Sequence, residues 1–203
     1  MLTARNLHLW RGERHVLKGV SFALGAGELL HVSGPNGTGK TTLLRAVAGL
    51  AHPEEGEVSW RGQPVSALDS RFCEELGYIA HDAGLKGDLT ARENLAFMVR
   101  LRRVISDQAI DASLAKLEIA ACTGIAARAL SAGQRRRVAL ARLLLSEALL
   151  WILDEPMTNL DAAGVALILE LLGRHLELGG LALVATHGEL PIRGGRVTRL
   201  ELT

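Results

Sequence analysis

Short runs of apolar residues alternate along the chain with longer stretches in which apolar positions recur every three or four residues. The short runs predict strands and the longer periodic stretches predict helices. Strands are expected at Ala4–Leu9, Val20–Leu24, Leu29–Ser33, Glu57–Trp60, Gly77–Ile79, Leu149–Leu153, Leu181–Ala185 and Val197–Leu202. Helices are expected at Lys40–Ala48, Arg92–Arg102, Asp107–Leu117, Ala132–Ser146 and Ala162–Leu178. The alternation predicts an α/β fold. From Thr90 to Leu130 the pattern reads as consecutive helices with no strand between them, so a helical subdomain inserted in the α/β core is expected there. No repeat, linker or low-complexity segment divides the chain, which predicts a single domain over residues 1–203.

Composition sharpens this picture. The 203 residues are 48% hydrophobic and 22% charged, values of a chain with a packed core rather than a disordered one. Aromatics make up only 3%, so Leu, Ala, Val and Ile must build that core. Lys and Arg number 23 against 22 Asp and Glu, a formal charge of +1. That balance gives no electrostatic case for nucleic acid or an anionic membrane as partner. Cys73 and Cys122 stand in unrelated contexts, without CxxC or a His/Cys cluster, which predicts buried small side chains in a reducing compartment. The N-terminal residues lack the apolar core of a secretory signal. The apolar stretch Leu143–Leu153 is interrupted by Glu147 and is too short to span a bilayer. A soluble chain is expected.

Three segments carry chemistry. Gly34-Pro35-Asn36-Gly37-Thr38-Gly39-Lys40-Thr41 satisfies GxxxxGK[ST] between an apolar run and a helical one that continues through Thr42. Its glycines let successive N–H groups turn inward onto phosphate oxygens, and the helix N-terminus adds partial positive charge. Lys40 is expected on the β- and γ-phosphates of ATP, with the Thr41 hydroxyl on Mg²⁺. Leu149-Leu150-Trp151-Ile152-Leu153 ends in Asp154 and Glu155, the pattern of a buried parallel strand with acids at its C-terminal edge. Asp154 is expected to hold Mg²⁺ and Glu155 to polarise the attacking water. Leu130-Ser131-Ala132-Gly133-Gln134 precedes an arginine-rich helix, with Ser131 as N-cap. The bland reading of this segment is a capped amphipathic helix with arginines on its wet face, and the run Arg135–Arg137 is assigned to a helix face rather than to nucleic acid.

The segment 130–134 resembles the LSGGQ signature of ABC-type ATPases, with Ala132 in place of the first signature glycine. The resemblance covers essentially the whole chain. It implies a P-loop fold with a mixed sheet core, an N-terminal antiparallel β part and a helical subdomain near residues 90–146 that includes the signature helix. It also implies that Ser131, Gly133 and Gln134 bind the nucleotide of a second copy in a sandwich homodimer. Thr158-Asn159-Leu160-Asp161 is similar to the family's D-loop, and His187 stands where the family carries its switch histidine, on the γ-phosphate. Two family positions depart from pattern. The Q-loop glutamine corresponds to His81 or Asp82, and the adenine-stacking residue to Arg11 or Trp10.

A narrower resemblance joins Leu130–Leu143, His81 with Gly84-Leu85-Lys86, and the compact C-terminus to the ATP-binding subunits of cytochrome c maturation transporters. It implies separate membrane permease subunits, a peripheral place on the cytoplasmic face of the inner membrane, and haem handling without haem contact by this chain. The alternatives are an ABC ATPase exporting a lipid, peptide or drug, a non-transport ABC ATPase, and a P-loop kinase. The signature and His187 argue against the kinase. Substrate choice would lie in the membrane partner.

Overall fold

The computed structural model describes all 203 residues. The first half of the chain forms β1 (Leu2–Arg11), β2 (Arg14–Leu24), β3 (Glu28–Ser33), α1 (Lys40–Val47), β4 (Glu55–Trp60), β5 (Gln63–Pro64), α2 (Ser70–Glu75), β6 (Leu76–Ile79) and α3 (Ala91–Arg100). The second half forms α4 (Asp107–Lys116), α5 (Ala132–Ser146), β7 (Leu150–Asp154), α6 (Ala162–Glu177), β8 (Leu181–Ala185) and β9 (Arg196–Glu201).

The mixed architecture expected is realised as two sheets. An antiparallel sheet has the order β2-β1-β4-β5, and a wholly parallel one the order β6-β7-β8-β3-β9. Strands β3, β6, β7 and β8 are buried on both faces, whereas the edge strand β9 is largely exposed; in the buried strands alternate residues serve two cores. Leu150 and Ile152 of β7 join α1 and the antiparallel sheet, while Trp151 and Leu153 join α3 to α6. Leu183 and Val184 of β8 divide in the same way. Helix α1 buries six of its eight residues and touches β2 as well as β7 and β8. No helix is long and apolar enough to cross a membrane.

Helices α3, α4 and α5 pack on one another, and each begins with a hydroxyl cap. Thr90 and Ser131 form reciprocal capping boxes with Glu93 and Gln134, and Ser106 caps α4. Asn94, fully buried, accepts from Lys86 N and donates to the carbonyls of Lys86, Leu89 and Thr90. That side chain pins the loop that leads into α3.

Differences from expectation are local. Strand β2 starts at Arg14 rather than Val20, because polar residues and register shifts against β1 hide its alternation. Gly19 sits there at φ +70°, a left-handed conformation costly for other residues. Helix α2 and the two-residue β5 carry no periodic signal. The single buried anchor of α2 is Phe72.

Candidate active site

Parallel strands deliver their C-terminal ends to one edge, where ligands of open α/β sheets bind. From β3 the chain enters the loop Gly34–Gly39. Gly34 has φ +138°, and a Cβ there would stand 2.3 Å from Leu202 O. Gly39 has φ +103° and leads into α1 with no side-chain cap. The first-turn N–H groups of α1 therefore stay free for an anion.

Lys40 folds back over this loop. Its Nζ donates to Gly34 O at 2.7 Å and Pro35 O at 3.1 Å. Gly34, Pro35 and Thr38 thus shape the loop: Thr38 Oγ1 also donates to Pro35 O. Small-molecule sites are clefts of about 300–1,000 Å³, and the one at this edge measures ≈ 810 Å³. Asn36, Gly37, Gly39, Lys40, Thr41 and Thr42 line it from the loop side. Asp154, Glu155, Thr158, His81 and His187 line it from the strand ends.

Thr41 Oγ1 donates to Asp154 Oδ2 at 2.7 Å. Two hard oxygen ligands at the phosphate end of the cleft suit Mg²⁺, which takes few protein ligands beside water and phosphate. No group of three His, Cys, Asp or Glu side chains forms a metal cage of its own.

His187 follows β8 and is the point where three elements meet. Its Nε2 lies 2.7 Å from Asn36 Oδ1, 3.3 Å from Lys40 Nζ and 3.6 Å from Glu155 Oε1. With a proton on Nε2 it donates to Asn36. Glu155 Oε1 is buried and accepts no hydrogen bond. An unpaired buried carboxylate oxygen is costly, and this one lies 3.6 Å from His187 Nε2. Glu155 itself has φ +49°, an uncommon conformation for a non-glycine residue. Its N–H donates to Ala185 O at 2.8 Å, tying it to the end of β8.

Ser131, Gly133 and Gln134 do not line this cleft. Ser131 Oγ accepts from Gln134 N, Gln134 Oε1 accepts from Ser131 N, and Gln134 Nε2 donates to Cys122 Sγ at 3.2 Å. A Cβ on Gly133 would meet Asn159 O at 2.6 Å, so the signature glycine packs against the 158–161 loop. Asp161 caps α6 and accepts from Arg137 Nη2 at 2.8 Å. The Gly164 N–H, with Arg137, holds the Asp161 carboxyl below its ordinary value.

Arg135–Arg137 lie on α5 but do not share one wet face. Arg136 is only 4% exposed, and Arg137 bridges Glu118 and Asp161. Consecutive helical side chains point about 100° apart, so three arginines in a row cannot share one face. Burial pushes the Arg136 guanidinium down from its usual value, while Asp154 and then Glu155 pull it up. Arg14 was also missed: its Nη2 donates to Gly37 O at 3.0 Å. No local pattern marks it, because its pairing with Arg11 exists only in the folded hairpin.

At each departing position one of the two residues lines the cleft. Arg11, Arg14 and Val16 face the cleft, whereas Trp10 stacks on His15 with centroids 3.9 Å apart. His81 lines the cleft, and Asp82 Oδ1 instead accepts from Gly84 N at 3.1 Å.

The family model for ABC transporters matches residues 17–158. A cytochrome c biogenesis ATP-binding export protein, CcmA, of Methylococcus capsulatus is 47% identical over 194 residues, covering 95% of this chain and 94% of that protein. The protein of the same name from Nitrosomonas europaea is 46% identical, covering 100% and 96%. Among solved structures, the dimeric structure of a bacterial ABC transporter cassette superposes with a TM-score of 0.87 at 27% identity, covering 99% of this chain and 94% of that one. A dimeric post-hydrolysis state of that cassette, bound to ADP and Pi, gives a TM-score of 0.84 at 26% identity, covering 100% and 96%. The cleft, its phosphate loop and the whole course of the chain agree with these matches, and the chain belongs to the ABC transporter family as an ATP-hydrolysing cassette.

Proposed function

We propose that this chain is the ATP-hydrolysing subunit of a transporter complex for cytochrome c biogenesis, working as a head-to-tail dimer beneath separate membrane subunits. The observation that carries the chemistry is the convergence of Asn36, Lys40 and Glu155 on His187 Nε2 within 3.6 Å. The near-full-length identity to the two proteins named above supports the biological role.

Residues 34–42 cradle the phosphates through backbone N–H groups and the start of α1. Lys40 exchanges the carbonyls of Gly34 and Pro35 for phosphate oxygens. Thr41 and Asp154 would hold Mg²⁺, which would supply positive charge at the phosphates. Glu155 orients the attacking water and receives its proton, and His187 holds the γ-phosphate. Arg11 faces the base end of the cleft and His81 its hydrolytic end. Catalysis on this scheme is positioning and charge stabilisation rather than covalent chemistry. Ser131, Gly133 and Gln134 lie outside their own cleft and complete that of the second copy. The helical part near 90–146 carries them, and the whole of 1–203 acts as one domain at the cytoplasmic face of the inner membrane. Haem is handled by the membrane subunits, and this chain makes no contact with it or with nucleic acid.

Glu155→Gln tests the chemistry. The purified variant with Mg²⁺ and ATP should run as a dimer on gel filtration and turn over at least about 100-fold more slowly; a monomer hydrolysing at the wild-type rate defeats the proposal. In cells that make c-type cytochromes, deletion of the gene should abolish haem-stained cytochrome c. Wild type should restore it and Glu155→Gln should not; normal cytochrome c after deletion rejects the biological role.

A further inference from the structure

Arg136 is a charged side chain, 4% exposed, with no carboxylate in an ion pair. Every one of its hydrogen bonds goes to a backbone carbonyl. Nε donates to Pro156 O at 3.2 Å, and Nη1 to Ala80 O at 2.7 Å and His81 O at 3.4 Å. Nη2 donates to Asp154 O at 2.5 Å and Glu155 O at 2.6 Å. A guanidinium has five N–H donors in a rigid plane, and here all are used. The carbonyls belong to two places: the exit of β6, and the end of β7 with the turn after it.

Such a group is not needed to pack α5. An apolar side chain of similar volume fills buried space at less desolvation cost. What the guanidinium adds is direction. Glu155 stands at φ +49°, a conformation that persists only where its surroundings over-determine it. Three bonds do so: Glu155 N–H to Ala185 O, and the Glu155 carbonyl accepting from Thr158 N at 3.2 Å and from Arg136 Nη2. Two of these come from the neighbouring turn and strand. The third comes from α5, whose first turn is the Ser131–Gln134 segment.

We propose that Arg136 is a positioning residue that holds the Glu155 backbone in its hydrolytic conformation and ties that conformation to the placement of α5. The inference rests on Glu155 acting in hydrolysis. A shift of α5 moves five donors at once, and with them the carbonyls beneath His81, Asp154 and Glu155. Engagement of the first turn of α5 with a second copy's nucleotide is thereby felt at the Glu155 of its own cleft, which couples the two ends of the cassette mechanically.

Arg136→Lys tests this, with Arg136→Gln as a second variant. Lysine keeps the charge but has three donors on a flexible stem. Arg142→Lys is the control, because Arg142 also lies on α5 and donates inward, to Tyr78 O at 2.8 Å and Met98 Sδ, away from the cleft. In the purified chain, kcat for ATP should fall about 100-fold in Arg136→Lys, the scale of a small misplacement of a reacting group. KM should stay within about threefold, and Arg136→Gln should behave the same way. Arg142→Lys should lower the melting temperature to a similar degree and leave kcat within about twofold. Wild-type kcat in Arg136→Lys overturns the proposal. So does an equal loss of kcat in Arg142→Lys, or a loss of nucleotide binding in step with kcat and melting temperature, which marks Arg136 as structural. Glu155→Gln measured alongside separates the two levels: if it turns over normally, the role of Glu155 fails; if it is inactive while Arg136→Lys is normal, only the positioning role fails.

Discussion

Thr41 Oγ1 donates a 2.7 Å hydrogen bond to Asp154 Oδ2, although 113 positions of sequence separate the two residues. The bond joins the first turn of α1 to the end of β7 and brings together the two oxygens assigned to Mg²⁺. Thr41→Val keeps the shape and removes the oxygen. Titration calorimetry should show Mg²⁺·ATP affinity reduced by about 10- to 100-fold, with metal-free ATP binding changed about twofold or less. Asp154, 2% exposed, is left without its donor, and denaturant unfolding should show a loss of about 1–3 kcal/mol.

Gly39 is barred to other residues for two separate reasons. Its φ is +103°, and a Cβ would stand 2.5 Å from Val16 Cγ1. Gly39→Ala should destabilise the chain by about 1–3 kcal/mol and weaken ATP binding. Adding Val16→Ala removes the collision but not the strained φ. Denaturant unfolding of the double variant should therefore recover only part of the loss; full recovery would show that the collision alone matters.

Ser131 has a local task and a proposed distant one. Its Oγ accepts from Gln134 N at 3.1 Å and caps α5. Ser131→Ala should cost about 1 kcal/mol in unfolding experiments. Binding of ATP to dilute monomer should be unchanged, since Ser131 lies outside its own cleft. Turnover at concentrations that favour the dimer should fall by about tenfold or more. A parallel loss of monomer binding would refute the trans assignment.

His175 stacks on Trp151 with centroids 3.9 Å apart, and its Nε2 donates to Leu181 O at 3.1 Å. Burial pushes its pKa below the usual histidine value, and the carbonyls of Leu181 and Leu149 pull only partly back. The unfolded chain therefore binds the proton more readily than the folded one. The stabilisation is complete above the unfolded value, near 6.5, and is lost as the pH falls through the folded value. One such group contributes at most about 1.4 kcal/mol per pH unit. His175→Phe should flatten the stability profile below pH ~6.5 relative to wild type; identical slopes would show that the ring is not held neutral.

Local pattern made much of this molecule legible. The strand-loop-helix around Gly34–Thr41 and the apolar run ending at Asp154 and Glu155 were visible because both depend on neighbours in sequence. Glycines supply positive φ, and a strand buried on both faces is apolar throughout. The capping box at Ser131 and Gln134 was visible as a hydroxyl N-cap for the same reason. What escaped had no periodic signal, such as α2 with its single anchor Phe72, or depended on pairing, such as the Arg14 half of β2.

By itself, then, the sequence determined that this chain is an α/β cassette built to hold phosphate at the end of parallel strands, and which residues are chemically fit to act there. Only the tertiary structure decided which of them meet. It turned Trp10 onto His15 and Arg11 toward the cleft, left the Ser131–Gln134 segment outside its own site, and buried Arg136 against five carbonyls of two strand ends. The physical reason is that a side chain's chemistry is local, whereas its partners come from strands brought side by side by sheet order and by two cores that share the same strands.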